Sequence, residues 1–420
     1  MRSDLDDIMA QRELDWIVGF GSSSGSTDLA YLAGGAAVGH VMALKRRGEP
    51  PHFVVGIMER EEARRAGLRF ATPNDYGAAE IAKLAVPARE RALRLRLAVL
   101  ERHEVAGRVS FVGSGAIADS YATVRAILER RPAIEFVEEP SPSAIERARA
   151  TKDARELERI RAVGEATEAV VLEVLRRLAR DRVEGGVLVD ASGAPRKIGD
   201  VKRWIAVGCL ERGLDEHGET IFAPGREAGF PHSRGTDTDP VPAGKPIVFD
   251  IFPGERGGGY HFDMTRTIWI GEPSERTRAC FAAVLEAFEA GRDACRPGAL
   301  AREADAAASA VLERHGHPTR RRDPSIETGY IHSLGHGIGL AVHEYPALSA
   351  RETNEDRLEP GMVFTIEPGL YYPDEEIGIR IEDTLWLDTE GVHTCNRLPY
   401  EPEALWALAR GEGPERGRTR

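Results

Sequence analysis

The sequence predicts an α/β domain followed by an α+β domain. Three observations predict this. The first 140 residues alternate short Val-, Ile- and Phe-rich runs with charged Ala/Leu/Arg-rich stretches. A helix-rich segment follows. From about Pro246 strand-like runs gather in one block, with helices set apart. A chain of 420 residues also exceeds one ordinary core.

In chain order, "DWIVGF" (15–20), "HFVVGIM" (52–58), "RVSFVG" (108–113) and "AIEFVEE" (133–139) read as strands. "ARERALRLRLAVLERH" (88–103) reads as a helix between them. In Ser141–Arg180, Leu157, Ile160, Val163, Val170 and Val171 recur at helical spacing. The boundary is expected between Ser141 and Thr151. This gives domains over 1–145 and 151–406 and a flexible charged tail over 407–420. In the second block "PIVFDIF", "DMTRTIWIG", "MVFTIEPGLYY" and "IGIRIEDTLWL" read as strands, and Ser274–Ala294 as one strong helix.

Hydrophobic residues make up 42% and charged residues 30%, the balance of a soluble globular protein. The net charge of −12 argues against a nucleic-acid partner. Cys209, Cys280, Cys295 and Cys395 form no CxxC pair, so free thiols are expected. The opening "MRSDLDDIMAQRELD" lacks the apolar core of a signal peptide. The longest low-charge stretch, Tyr31–Leu44, is too short to span a bilayer. A cytoplasmic protein with no membrane partner is expected.

"HSLGHGIGLAVHEYP" (332–346) holds three histidines and an acid among glycines. His332 and His336 have the i, i+4 spacing of a helical zinc site. Gly335, Gly337 and Gly339 argue against that helix, since each costs about 1 kcal/mol relative to alanine. A turn or strand ends under close backbone approach fit better. Any metal ligands here must be completed from elsewhere.

Four acids supply the completion. Asp250, Asp263, Glu367 and Glu382 each interrupt or end an apolar strand-like run. Alternation puts Val248 with Asp250, Asp263 with Thr265, and Arg380 with Glu382 on shared faces. One buried acid can be a core residue with a partner. Four are hard to keep ionised together without a cation. Carboxylates with one or two imidazoles suit manganese, cobalt, iron or zinc. They have enough oxygens for two ions roughly 3.5–4 Å apart, and such a pair implies hydrolysis.

As an ordered set, "PHSRG", "DMTRT", "GHGIGLAVHEYP", "FTIEPGLY" and "GIRIED" resemble the pita-bread metallopeptidases, the superfamily of methionine aminopeptidase, aminopeptidase P, prolidase and the metal-free creatinase. "LDDIMAQRELDWIVGF" resembles the start of the creatinase-type N-terminal domain, and "RATKDARELERIR" the start of the catalytic domain. The resemblance implies a creatinase-like α/β domain and a pita-bread α+β catalytic domain. It implies two divalent metal ions, manganese first, with cobalt, zinc or iron as the alternatives.

By resemblance, Asp263 and Glu382 bridge both ions, Asp250 completes one, and His336 with Glu367 complete the other. Glu367 also matches the proton shuttle. His232 and His343 match the histidines that contact substrate and steady the tetrahedral intermediate. His332 matches a further pocket histidine of the proline-specific branch, and Arg380 a partner that orients a carboxylate. The implied activity is an aminopeptidase P-like exopeptidase cleaving the first Xaa-Pro bond of short proline-containing peptides. A prolidase-type dipeptidase is the alternative. A creatinase-like hydrolase or a binding protein is a further one, disfavoured because those branches lose the ligands. A homodimer is implied.

The chain departs from the family in places. Its two aspartates stand thirteen positions apart, further than is usual, with the insertion placed in "FPGERGGGY". "GERGGG" lacks the following Lys-Ser/Thr of a phosphate loop. Phe252 stands where that family commonly has a glycine and Phe262 where it commonly has a small residue, departures that bear on the shape of the pocket wall more than on the metal site. Ala347 stands where some prolidases carry a carboxylate-gripping arginine. His261 reads as structural or as support for a ligand.

Overall fold

A computed structural model of the chain describes residues 4–39 and 41–412. The chain divides into two compact units, Met1–Arg149 with Gly257–Gly259, and Ala150–Arg256 with Tyr260–Arg420.

The first unit is built on a six-stranded mixed sheet. Its order is Phe70–Ala71, His52–Val55, Val41–Arg46, Trp16–Gly21, Gly107–Gly113 and Ile134–Phe136. Neighbouring strands run parallel except at Val41–Arg46, which pairs antiparallel with both of its neighbours. Trp16, Val18, Met42, Leu44 and Val109 pack with Leu93, Val99 and Leu100 of helix Ala88–Arg102 and Ile127 of helix Ile117–Arg130. Ile17, Ala43 and Val55 alternate with these and are fully buried too. Apolar residues in both registers are the mark of a sheet covered on both faces. Sequence reading passed over two of the six strands, Val41–Arg46, which ends a low-charge stretch without clear alternation, and the two-residue Phe70–Ala71.

The second unit opens with the 25-residue helix Ala154–Leu178. Asp153 accepts from the amides of Arg155 and Glu156, and Glu156 reaches back to the Asp153 amide. This capping box satisfies donors that a helix start otherwise leaves open. Helix Glu275–Ala294 starts at Ser274, whose hydroxyl accepts from the Thr277 amide. Sequence reading found this helix but not Ile198–Glu211 or Ala301–Arg314. A five-stranded sheet runs Glu344–Leu348, Gly335–Gly337, Val363–Ile366, Asp383–Leu387 and Val392–Thr394. A three-stranded sheet runs Ile221–Pro224, Ile247–Ile251 and Met264–Ile268, and Gly369–Tyr372 pairs with Ile377–Arg380. Helices and sheets close on a core that includes Phe288, Leu312, Phe364, Ile366, Ile379 and Leu385.

Two sequence expectations need correction. "MVFTIEPGLYY" and "IGIRIEDTLWL" are each two strands, broken at Glu367–Pro368 and at Ile381–Glu382. The tail does not begin at residue 407. Helix Pro402–Arg410 buries Leu405 and Ala409, and the Trp406 indole donates to the Trp269 carbonyl at 2.7 Å. Residues 413–420 of that tail lie outside the described residues. Among the described residues no helix is long and apolar enough to cross a membrane.

Candidate metal centre

Register brings three of the side chains into one row. Asp250 stands directly opposite Thr265 on the neighbouring antiparallel strand. Thr265 in turn bridges Glu382, each amide donating to the other's carbonyl at 3.3 and 3.1 Å. Directly opposed residues share a face roughly 4.5–5.5 Å apart. Asp250, Thr265 and Glu382 therefore point the same way. Asp263, two positions before Thr265, shares that face. Thr265 donates its hydroxyl to Glu382 Oε2 at 2.7 Å, and Thr384 donates to the Asp263 carbonyl at 2.8 Å. Arg266, almost fully buried, donates to the Glu382 carbonyl at 2.7 Å and to Asp383 Oδ1 at 2.8 Å. The backbone carrying the acids is thus fixed from behind.

His336 comes from the other sheet. Its strand bulges between His336 and Gly337. The neighbouring glycines explain the composition of this stretch. A Cβ on Gly335 would lie 2.0 Å from the Thr365 carbonyl oxygen, and one on Gly337 would lie 2.2 Å from that of Tyr345. His336 Nδ1 donates to the Gly337 carbonyl at 3.1 Å, which leaves Nε2 for other chemistry. Nε2 lies 3.3 Å from Glu367 Oε1 and 3.9 Å from Asp263 Oδ2. Asp263, His336 and Glu382 each offer a ligand atom within 4.8 Å of the others.

The electrostatics are those of crowded acids. Burial, then the charges of Asp250 and others, raises the Asp263 carboxyl well above the usual carboxylate range. Burial, then Asp263, Glu367 and Asp250, does the same to Glu382. Burial also works against ionised Glu367, but the hydrogen bond and charge of His336 outweigh it and hold the carboxyl at about 2. Burial opposes the His336 cation as well, and Glu367 with Asp263 nonetheless push it up to about 9. Asp250 Oδ1, Asp263 Oδ1 and Glu382 Oε1 are buried with no hydrogen-bond partner among the described residues. Buried oxygens without donors are costly. Asp263 and Glu382, each with such an oxygen, gather with the His336 imidazole in a group that fits a divalent cation, whose charge would relieve both the desolvation and the mutual repulsion, while Asp250 and Glu367 fall outside that tight group.

Around this cluster sits a second set of groups. Arg380 donates to Asp250 Oδ2 at 2.6 Å, to Thr265 Oγ1 at 3.2 Å, to the Tyr371 hydroxyl at 2.8 Å and to the Pro231 carbonyl at 3.3 Å. The last contact holds the residue before His232, which is itself exposed. His332 Nδ1 donates to the Ser333 carbonyl, so its Nε2 accepts from Tyr371 at 2.9 Å. Burial lowers the His332 value and keeps the ring neutral. His343 is exposed and stacks edge-on to His336, ring centroids 4.3 Å apart.

Thr265, Tyr371 and Tyr330 were missed from sequence. Tyr330 packs edge-on to His332 and donates to buried Asp305 at 2.9 Å. The helical spacing of Ala301, Ala304, Asp305, Ala308 and Leu312 could have flagged Asp305 as an acid on an apolar face. Phe262 does not shape a pocket wall. It is fully buried against helix Ala154–Leu178, where a Cβ on Gly164 would lie 2.5 Å from its ring.

Comparison with known proteins fits this arrangement. The chain is 32% identical over 302 residues to Probable dipeptidase PepE of Mycobacterium tuberculosis, spanning 67% of this chain and 73% of that protein. It is 36% identical over 183 residues to the Xaa-Pro dipeptidase of Pyrococcus furiosus, spanning 44% and 48%. Its fold matches the crystal structure of an X-Pro aminopeptidase from Thermotoga maritima with a TM-score of 0.71 at 22% identity, over 95% of this chain and 98% of that one. The pita-bread fold expected from the motifs is therefore the fold of this chain. The pattern of Metallopeptidase family M24 matches residues 158–389, and the chain belongs to that family of metallopeptidases.

Proposed function

We propose that the protein is a metal-dependent Xaa-Pro dipeptidase acting on short proline-containing peptides. The motifs alone put an aminopeptidase P-like activity first and the dipeptidase second. The relatives support the second, since the two curated relatives described above carry dipeptidase names. The observation that carries a hydrolytic reading is the gathering of Asp263, His336 and Glu382, whose two carboxylates each keep a buried oxygen without a donor among the described residues.

In this reading Asp250, Asp263, His336, Glu367 and Glu382 would together hold two divalent ions, manganese first. The ions would supply a Lewis acid for the scissile carbonyl and activate the attacking water. The residues do the rest. Glu367, ionised at neutral pH, takes the proton of the attacking water and returns it to the proline nitrogen as the bond breaks. His343 and His232, on the open side of the cluster, donate to the carbonyl oxygen as it gains charge. Arg380 holds Asp250 in place, and neutral His332 lines the pocket through Tyr371.

Ala347 favours a second reading. It stands opposite His336 in the sheet and offers no cation to a dipeptide's carboxylate. That suits a longer peptide and an aminopeptidase P. Release of alanine from Ala-Pro and Ala-Pro-Ala by the manganese-loaded protein separates the two. Turnover of the dipeptide alone supports the proposal. Turnover of the tripeptide with the dipeptide inert supports the aminopeptidase. Asp263→Asn with full activity would sink both.

A further inference from the structure

Lys152 and Glu344 form an ion pair whose side chains are 2% and 1% exposed, with Nζ 3.1 Å from Oε2. Glu344 directly follows His343. Its other oxygen accepts from the Ala341 amide at 2.9 Å. One carboxylate thus closes the turn that carries the histidine. The turn is tied at two more points, Gly339 N to the Ala341 carbonyl at 3.0 Å and His261 N to the Gly339 carbonyl at 2.7 Å. Lys152 is anchored through its own amide to the Gly361 carbonyl at 2.7 Å, and its Nζ also donates to the Ala150 carbonyl at 3.3 Å. The fit is tight, since a Cβ on Gly339 would lie 2.7 Å from Glu344 Oε2 and 2.8 Å from Lys152 Cε.

A buried ion pair is a weak source of net stability compared with an apolar pair of similar size. What it supplies is a fixed geometry. We infer that Lys152 and Glu344 are positioning residues for His343. The lysine orients the carboxylate, the carboxylate fixes the turn, and the turn sets the imidazole edge-on to His336 over the reacting carbonyl. The inference rests on reading His343 as a substrate contact.

The test is a cycle of Lys152→Met and Gly339→Ala, each made in the wild-type and the His343→Ala backgrounds. Kinetics on Ala-Pro are read with manganese, and exchange of the Ala341 amide is read on the metal-free protein. In the wild-type background Lys152→Met is expected to lower kcat about tenfold with KM within about twofold. Ala341 exchange should quicken. In the His343→Ala background the same substitution should change kcat by less than about twofold, because residues acting as a unit are not additive. Equal loss in both backgrounds, or no loss in either, overturns the inference and leaves the pair a structural feature. Wild-type activity in His343→Ala alone overturns it differently, by removing the substrate-contact role beneath it. Should Lys152→Met fail to fold, Gly339→Ala keeps both charges and crowds only their flexible tips. The same criteria then apply to it.

Discussion

Arg380 holds Asp250 through a single oxygen, Nη2 to Oδ2 at 2.6 Å, and leaves Oδ1 buried and without a donor among the described residues. The guanidinium makes this contact while reaching Thr265, Tyr371 and Pro231. A lysine cannot span four such directions. Arg380→Lys is expected to weaken manganese binding about 10–100-fold. Titration calorimetry on the metal-free protein checks this, and an unchanged affinity would take Arg380 out of the site's support.

The three donorless oxygens make metal loading a stability event. Manganese is expected to raise the melting temperature progressively with concentration, since it binds the folded state. In Asp263→Asn most of that gain should vanish. Thermal melts of both proteins across a manganese series decide it. A gain of equal size in the variant would place the ion elsewhere.

Gly335→Ala sets a methyl 2.0 Å from the Thr365 carbonyl oxygen, a backbone atom that cannot swing aside. The strand bearing His336 must shift. We expect a loss of about 1–3 kcal/mol of stability together with weaker metal binding. Urea denaturation with parallel metal titration reads both. A variant that binds metal normally would show that His336 tolerates the shift.

Ala347 is exposed and stands opposite His336. Ala347→Arg adds a cation on the histidine's side of the sheet, where it can pair with the free carboxylate of a dipeptide. The expected result is a kcat/KM for Ala-Pro raised about tenfold relative to Ala-Pro-Ala, mainly through KM. An unchanged ratio would mean that the peptide's C-terminus lies away from this strand.

Asp305 gives a pH signature outside the metal cluster. Burial pushes its carboxyl up to about 6, against hydrogen bonds from the Ala350 amide, Tyr330 and Ser309. The folded value lies above the unfolded one of about 3.9. The stability it contributes is therefore fully present below about pH 4 and lost as pH rises through about 6. Asp305→Asn, which turns an amide group toward a donor, should be less stable than wild type. The gap should narrow from about pH 4 to 7. Paired urea midpoints across that range test it, and a constant gap would mean that the carboxyl does not titrate there.

The candidate metal cluster was legible in sequence because ionisable residues stand out against apolar strands. Asp250 in "PIVFDIF" is the plainest case. Alternation also placed Asp263 with Thr265 correctly on one face. What alternation of period two does not carry is the point where a strand leaves one sheet for another. "MVFTIEPGLYY" and "IGIRIEDTLWL" keep their apolar rhythm through the breaks, so Glu367 and Glu382 read as strand residues when they lie at junctions. Tyr330 with Asp305 and Lys152 with Glu344 were illegible for a different reason. Each pair forms between residues distant in chain, so the spacing can flag Asp305 as an acid on an apolar helix face but cannot name its partner. Phe262 bore on the pocket wall only because it stands where the resembled family commonly has a small residue, and the structure turns its ring into the core against Gly164.

The row of Asp250, Thr265 and Glu382 also bears on how the protein is made. Synthesis delivers the chain from its N-terminus, so Asp250 and Asp263 emerge as two close acids long before Glu382 exists. Until the chain beyond Ile381 arrives, nothing bridges Thr265 from that side, and the first two acids stand near one another on an unfinished sheet. Ion capture therefore belongs to the last stage of biosynthesis. A chain stalled or cut short of Glu382 inherits the repulsion of the site without its third member, which makes such truncated products candidates for rapid degradation instead of slow, partial activity.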